Sequence, residues 1–186
     1  VRAVDDIHFL TREEQAIFLE TAKRSHNYRQ YVLLLETGLR TSELIGLTWD
    51  SIDWKKHALT INKTLEYRHK NKCWRAGPPK TEKSYRTIPL TDRAYAVLKS
   101  CYDERDSRKE SDTLSQVLEY MDRRTGRTGT LVMKDLVFIN YRTGEPAKNS
   151  SYDTHLYKLC DEAGIEHFCM HALRHTYATR AIESGM

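Results

Sequence analysis

Apolar positions in the first part of the chain recur at helical spacing. Thr11 to Ser25 puts Gln15, Phe18, Leu19 and Ala22 on one face, and Thr11 with Glu14 has the spacing of a capping box, which predicts a surface helix. From Tyr28 the run YVLLLETG is apolar on nearly every face until Gly38, so a buried central helix closed by a C-cap glycine is predicted. Thr41 offers an N-cap to a short helix carrying Glu43, Leu44 and Leu47, which leaves Leu39 and Arg40 in the turn.

The pattern then changes. Residues 57 to 67 and 84 to 90 are rich in β-branched and aromatic side chains, and Gly77-Pro78-Pro79 between them breaks any helix. An antiparallel hairpin with a long basic connection is predicted. Helical spacing returns from Thr91 to about Asp106 through Ala94, Tyr95, Leu98 and Tyr102. Residues 107 to 130 are polar and end in DRRTGRTG, which predicts a partly helical, mobile insertion. Leu136 to Asn140 is a strand candidate followed by an RTGEP turn. Asn149 to Ala163 is helical up to Gly164, and a last helix runs from near His171 to Gly185. The sum is an α+β fold, mainly helical with a small antiparallel β-sheet.

Charge sharpens this outline. The net charge is +4 over 186 residues, yet residues 62 to 93 hold nine Lys/Arg against three acids, and the remainder is slightly acidic. A basic stretch interleaved with Tyr67, Trp74 and Tyr85 suits a phosphate backbone, because each cation that pairs with a phosphate releases condensed counterions. A solvated hairpin is the competing reading. No apolar run is long enough for a membrane span, and Val1 to Leu10 lacks a signal pattern. The four cysteines, Cys73, Cys101, Cys160 and Cys169, contain no CxxC pair, which predicts a reduced, cytoplasmic protein.

Three places could carry chemistry. Arg40, between a helix stop and a helix start, stands where a helix N-terminus favours an anion, although pairing to Glu43 or Glu36 would serve structure alone. In HALRHTYAT, helical spacing puts His171, Arg174 and His175 on one face, with Met170, Leu173, Tyr177 and Ala181 on the neighbouring apolar stripe. An imidazole and a guanidinium shown together could bind two oxygens of one phosphoryl group; a basic helix face is the plainer alternative. Lys80, just after two prolines and before a strand, is placed to act as a proton donor or a phosphate contact. Cys169, His171 and His175 lack the paired cysteines of a structural zinc site, and Asp50 and Asp53 read as structural, so no metal is predicted. There is no GxSxG motif and no P-loop.

TGLRTSELIGLTWDSID, KTEKSYRTIPL and HALRHTYATR, in that order and at those separations, resemble the catalytic domain of tyrosine recombinases, the integrases of phages and mobile elements. The flavour is that of conjugative-transposon integrases, and the resemblance runs from about residue 10 to the end. Carried over, Arg40 matches the family's first catalytic arginine, Lys80 its hairpin lysine, His171 its histidine and Arg174 its second arginine. His175 and Tyr177 match positions that look structural in the family, and residues 149 to 163 a region that helps contact DNA.

The resemblance implies DNA cutting and rejoining through a phosphotyrosyl intermediate, without a cofactor. Arg40, Arg174 and His171 would stabilise the phosphoryl transition state, with Lys80 as general acid. It also implies double-stranded recombination sites as partners, a tetramer on paired sites for the full-length protein, an accessory excision factor, and no membrane. Lys63, Arg68, Lys70, Lys72, Arg75, Lys83 and Arg86 are the expected DNA contacts. The sequence stops twelve residues after Arg174, where the family's nucleophilic tyrosine lies further on. The expectation is therefore a catalytic domain over 1–186 that lacks both the nucleophile segment and a core-binding domain. A non-catalytic DNA-binding module on the same scaffold is the alternative, and a relaxing topoisomerase a third.

Overall fold

The computed structural model describes residues 8–78, 85–108, 117–132, 135–140 and 145–185. Two compact units share the chain. One takes Val1–Arg40 and Ser150–Met186, the other Thr41–Asn149.

The first unit is helical. Helix α1 (Arg12–Ala22) starts on the predicted capping box: Thr11 Oγ1 accepts from the Glu14 amide at 3.1 Å, and the Glu14 carboxylate accepts from the Thr11 amide at 2.8 Å. Helix α2 (Tyr28–Thr37) is buried almost throughout and stops at Gly38, whose φ of 61° is left-handed and whose N–H reaches Leu34 O at 2.9 Å. Helix α5 (Asn149–Ala163) has the predicted bounds, and α6 (Met170–Glu183) follows after a short link. Phe18 packs at a tilt against Tyr31 and edge to face against Phe168, with ring centroids 5.4 and 5.2 Å apart. Thr176, fully buried on α6, accepts from the Leu10 amide at 2.9 Å, and Arg180 donates to Leu10 O at 2.7 Å. Asp153 on α5 accepts from the amide of Met170 at 3.1 Å, which fixes the start of α6.

Sheets dominate the second unit. Helix α3 (Thr41–Ile45) and a 3-10 turn (Trp49–Ser51) lead into a three-stranded antiparallel sheet of β1 (Ile52–Asp53), β2 (Ala58–Ile61) and β5 (Arg86–Pro89), in the order β1-β2-β5. The predicted hairpin is thus β2 with β5, in register Ala58↔Pro89 to Ile61↔Arg86. Its basic connection carries structure of its own. Strands β3 (Thr64–Arg68) and β4 (Cys73–Gly77) form a second hairpin whose turn places Lys72 at φ 50°. Helix α4 (Asp92–Arg108) follows β5.

Residues 109–116 of the insertion expected at 107 to 130 lie outside the described residues, and over the rest it is corrected by strands β6 (Val117–Asp122) and β7 (Thr128–Val132). They pair with each other antiparallel, and β6 pairs parallel with β4, which completes a sheet of order β3-β4-β6-β7. The DRRTG segment is the turn itself. Asp122 accepts from the amides of Arg124 and Thr125 at 2.8 and 2.7 Å, and Gly126 sits at φ 68°. The strand candidate Leu136 to Asn140 reduces to bridges, Thr48 with Leu136 and Asn140 with Glu145. Leu136, Val137 and Phe138 are nonetheless buried. Among the described residues no helix is long and apolar enough to cross a membrane.

Candidate functional site

Gly38 is where the first unit becomes specific. An added Cβ there would collide with Cδ1 and Cε1 of the Tyr177 ring, so α6 lies directly against the α2 stop. One turn earlier on α6, the Arg174 guanidinium donates through Nη1 to the carbonyl of Gly38. A side chain on each of two successive turns therefore grips one residue, and that residue stands two places before Arg40. Only glycine satisfies both the left-handed backbone and the approach of the ring.

His171 stands on the same helix, a turn before Arg174, with its ring 5.0 Å from that of His175 and nearly perpendicular to it. Its pKa lies below the ordinary 6.5, chiefly because neighbouring protein takes water from the ring even though the residue as a whole is exposed. The positive charges of His175, Arg174 and Arg40 push the same way. Three of the four predicted catalytic residues, Arg40, His171 and Arg174, thus share one electrostatic neighbourhood within a single unit. The fourth, Lys80, lies outside the described residues, as does Lys83.

The expected DNA contacts divide. Arg86 is held by Glu43 through two bonds, at 3.1 and 2.8 Å, and the Glu43 side chain is 1% exposed. Lys63 donates to Thr48 Oγ1 at 2.8 Å and lies 3.5 Å from Asp50. The hydroxyl of Thr48 also bonds Asp50, and this bond, ahead of the charge of Lys63, lowers the pKa of Asp50. Asp53 caps its turn through the amides of Lys55 and Lys56 at 3.1 and 3.0 Å, so both aspartates have the structural work expected of them. Arg68 pairs with Glu66 at 2.7 Å. Arg75 lies on β4 opposite Glu66, with Nε buried and without a hydrogen-bond partner. Lys70 and Lys72 project from the exposed β3–β4 turn. The interleaved aromatics are likewise unequal: Trp74 is buried in the sheet, Tyr67 carries the Lys148 ammonium 3.9 Å above its ring, and Tyr85 is 48% exposed.

Sequence reasoning saw Gly38 as a helix stop and Tyr177 as part of an apolar stripe, but not their contact. The signal available was the pairing of a C-cap glycine before Arg40 with an aromatic three residues after Arg174.

This α+β fold is the catalytic-domain fold of tyrosine recombinases. The Tn1549 transposon integrase, solved in complex with circular intermediate DNA, superposes with a TM-score of 0.76 at 22% identity, covering 99% of this chain and 57% of that one. The XerA recombinase does so with a TM-score of 0.65 at 22% identity, covering 96% and 52%. The chain belongs to the Phage integrase family, which matches residues 8–186. It is 30% identical over 189 residues to the transposase from transposon Tn916 of Enterococcus faecalis, covering 95% of this chain and 42% of that protein. It is 28% identical over 182 residues to a XerC-like tyrosine recombinase of Caldanaerobacter subterraneus subsp. tengcongensis, covering 94% and 43%. The chain therefore spans less than half the length of these curated relatives.

Proposed function

We propose that this chain is the catalytic domain of a site-specific DNA recombinase that cuts and rejoins double-stranded recombination sites in the cytoplasm. One observation carries the reading: Arg40 and Arg174 converge on His171, with Arg174 tethered to the backbone two residues before Arg40. Guanidinium and imidazole N–H groups brought together this way can bind an anion that bridges them. A phosphodiester approaching its transition state, with charge building on its non-bridging oxygens, is such an anion.

Arg40 and Arg174 stabilise that charge, and removal of one preorganised donor is worth about 3 kcal/mol. His171, neutral at pH 7 because its pKa is lowered, offers one N–H to a phosphoryl oxygen. A tyrosine oxygen attacks phosphorus, and Lys80 protonates the departing 5′ oxygen. Tyr177 is not that tyrosine, because its ring lies on Gly38. The exposed turn with Lys70 and Lys72 contributes phosphate contacts, supported by Arg68, Arg75 and Lys83, whereas Lys63 and Arg86 are engaged by Asp50 and Glu43. A tetramer assembled on paired sites, assisted by an excision factor, completes the reaction.

The full-length gene product, mixed with a nicked suicide substrate in the presence of a chelator, should form a covalent protein–DNA adduct. An absolute need for a divalent ion would remove the two-arginine account.

A further inference from the structure

Lys148 lies far beyond the basic stretch of residues 62 to 93 in sequence and returns to it in space. Its Nζ stands 3.9 Å above the centre of the Tyr67 ring. Tyr67 is opposite Trp74 in the β3–β4 ladder, their ring centroids are 5.3 Å apart, and Trp74 is 5% exposed, so the ring is pinned from the sheet side. His69, at the start of the turn, meets the same ring edge to face at 5.1 Å, and its carbonyl accepts from the Lys72 amide at 3.4 Å. Lys148, Tyr67, His69 and the exposed turn with Lys70 and Lys72 are therefore one continuous patch within the second unit.

The charge of Lys148 is handled differently from that of its neighbours. Lys63 and Arg86, in the same unit, are engaged by Asp50 and Glu43. Among the described residues no carboxylate pairs with Lys148, and its partner is the negative face of the ring. A ring attracts an ammonium without neutralising it. Of the three N–H donors on a tetrahedral nitrogen seated over one ring face, not all can point at the ring, so donors remain for an anion. The contact also restrains a flexible four-carbon stem, and a lysine restrained beforehand loses less freedom when that anion binds.

We propose that Lys148 is a DNA phosphate contact and that Tyr67 is the residue that positions it, so that the footprint of the Lys70 and Lys72 turn extends across the aromatic patch. This rests on the recombinase reading and names a part of its DNA interface that the charge run along the sequence does not contain.

The test measures the slope of log K against log salt for the full-length gene product on a fluorescein-labelled DNA duplex of mixed sequence. Lys148→Gln should shrink the slope by about one unit, and Lys148→Arg should leave it at the parent value. Tyr67→Phe, which keeps a ring under the ammonium, should bind as the parent does. Tyr67→Leu should weaken binding severalfold when Lys148 is present and add nothing in the Lys148→Gln background, because the ring acts through the lysine. Pentafluorophenylalanine at position 67, which keeps the shape and reverses the ring quadrupole, repeats that cycle if Tyr67→Leu folds poorly. A slope unchanged by Lys148→Gln would overturn the phosphate contact, and equal losses from the position 67 changes in both backgrounds would overturn the positioning role. Lys70→Gln combined with Lys72→Gln is the control. If that pair also leaves the slope unchanged, the DNA interface of the underlying reading is misplaced; a slope that falls for the pair and not for Lys148 sinks this proposal alone.

Discussion

Arg174 and Arg86 are both half-sheltered arginines in short motifs, and the fold uses them in opposite ways. Arg86 neutralises a buried carboxylate, Glu43, through a two-pronged bond. Arg174 binds a neutral backbone carbonyl and joins Arg40 in raising the positive potential at His171. An arginine matched to an acid serves the fold, because its charge is already satisfied. At His171, burial first and then the charges of His175, Arg174 and Arg40 hold the pKa down, so this cluster favours a neutral imidazole.

The largest expected effect tests the crowded set. Arg40→Ala or Arg174→Ala in the full-length gene product should reduce covalent adduct formation about a hundredfold to a thousandfold while leaving DNA retention largely intact. In the same variants the His171 pKa, followed by NMR, should rise towards 6.5 as one repelling charge goes, with burial keeping it from arriving. The sign has a consequence for stability: the fold favours neutral His171, so acidification below 6.5 weakens it until the depressed folded value is passed. A His171 pKa unmoved by either substitution would separate the two arginines from the histidine.

The matched pair is tested next. Arg86→Ala leaves Glu43 buried without its charge partner and should lower unfolding free energy by about 3 kcal/mol in a urea titration. A loss of DNA affinity at unchanged stability would instead make Arg86 a phosphate contact. The smallest effect concerns the basic stretch. Replacing Lys70 and Lys72 with Gln should shrink the slope of log K against log salt by about one unit per lysine, whereas Lys63→Gln should leave it nearly unchanged. The reverse ranking would show that pairing within the protein does not predict which cations meet DNA.

Much of this was legible from sequence because local rules and tertiary demands agree. The Thr11 and Glu14 capping box, the halt of α2 at Gly38 and the bounds of α5 all follow from side chains acting on adjacent backbone. The sheet was less legible. Strands β6 and β7 bury little beyond Leu118, so their alternation reads as polar loop, and β6 is chosen by pairing with β4, a partner distant in sequence. The β3–β4 hairpin was hidden because its charges dominate the pattern while Leu65 and Trp74 supply the buried face. In the candidate site, the residue types were readable from the motifs. The grip of Tyr177 and Arg174 on Gly38 was not, since no local pattern announces a ring meeting a glycine across most of the chain.

The order of synthesis gives that grip a temporal meaning. All of Thr41–Asn149 is interposed between the strand of chain that ends in Arg40 and the helices that return to it. A ribosome-bound chain complete through residue 149 carries Arg40 but neither His171 nor Arg174, and the loop to be closed is long. The meeting of Arg40 with His171 and Arg174 is consequently a late product of folding, completed only once the last helices have been made.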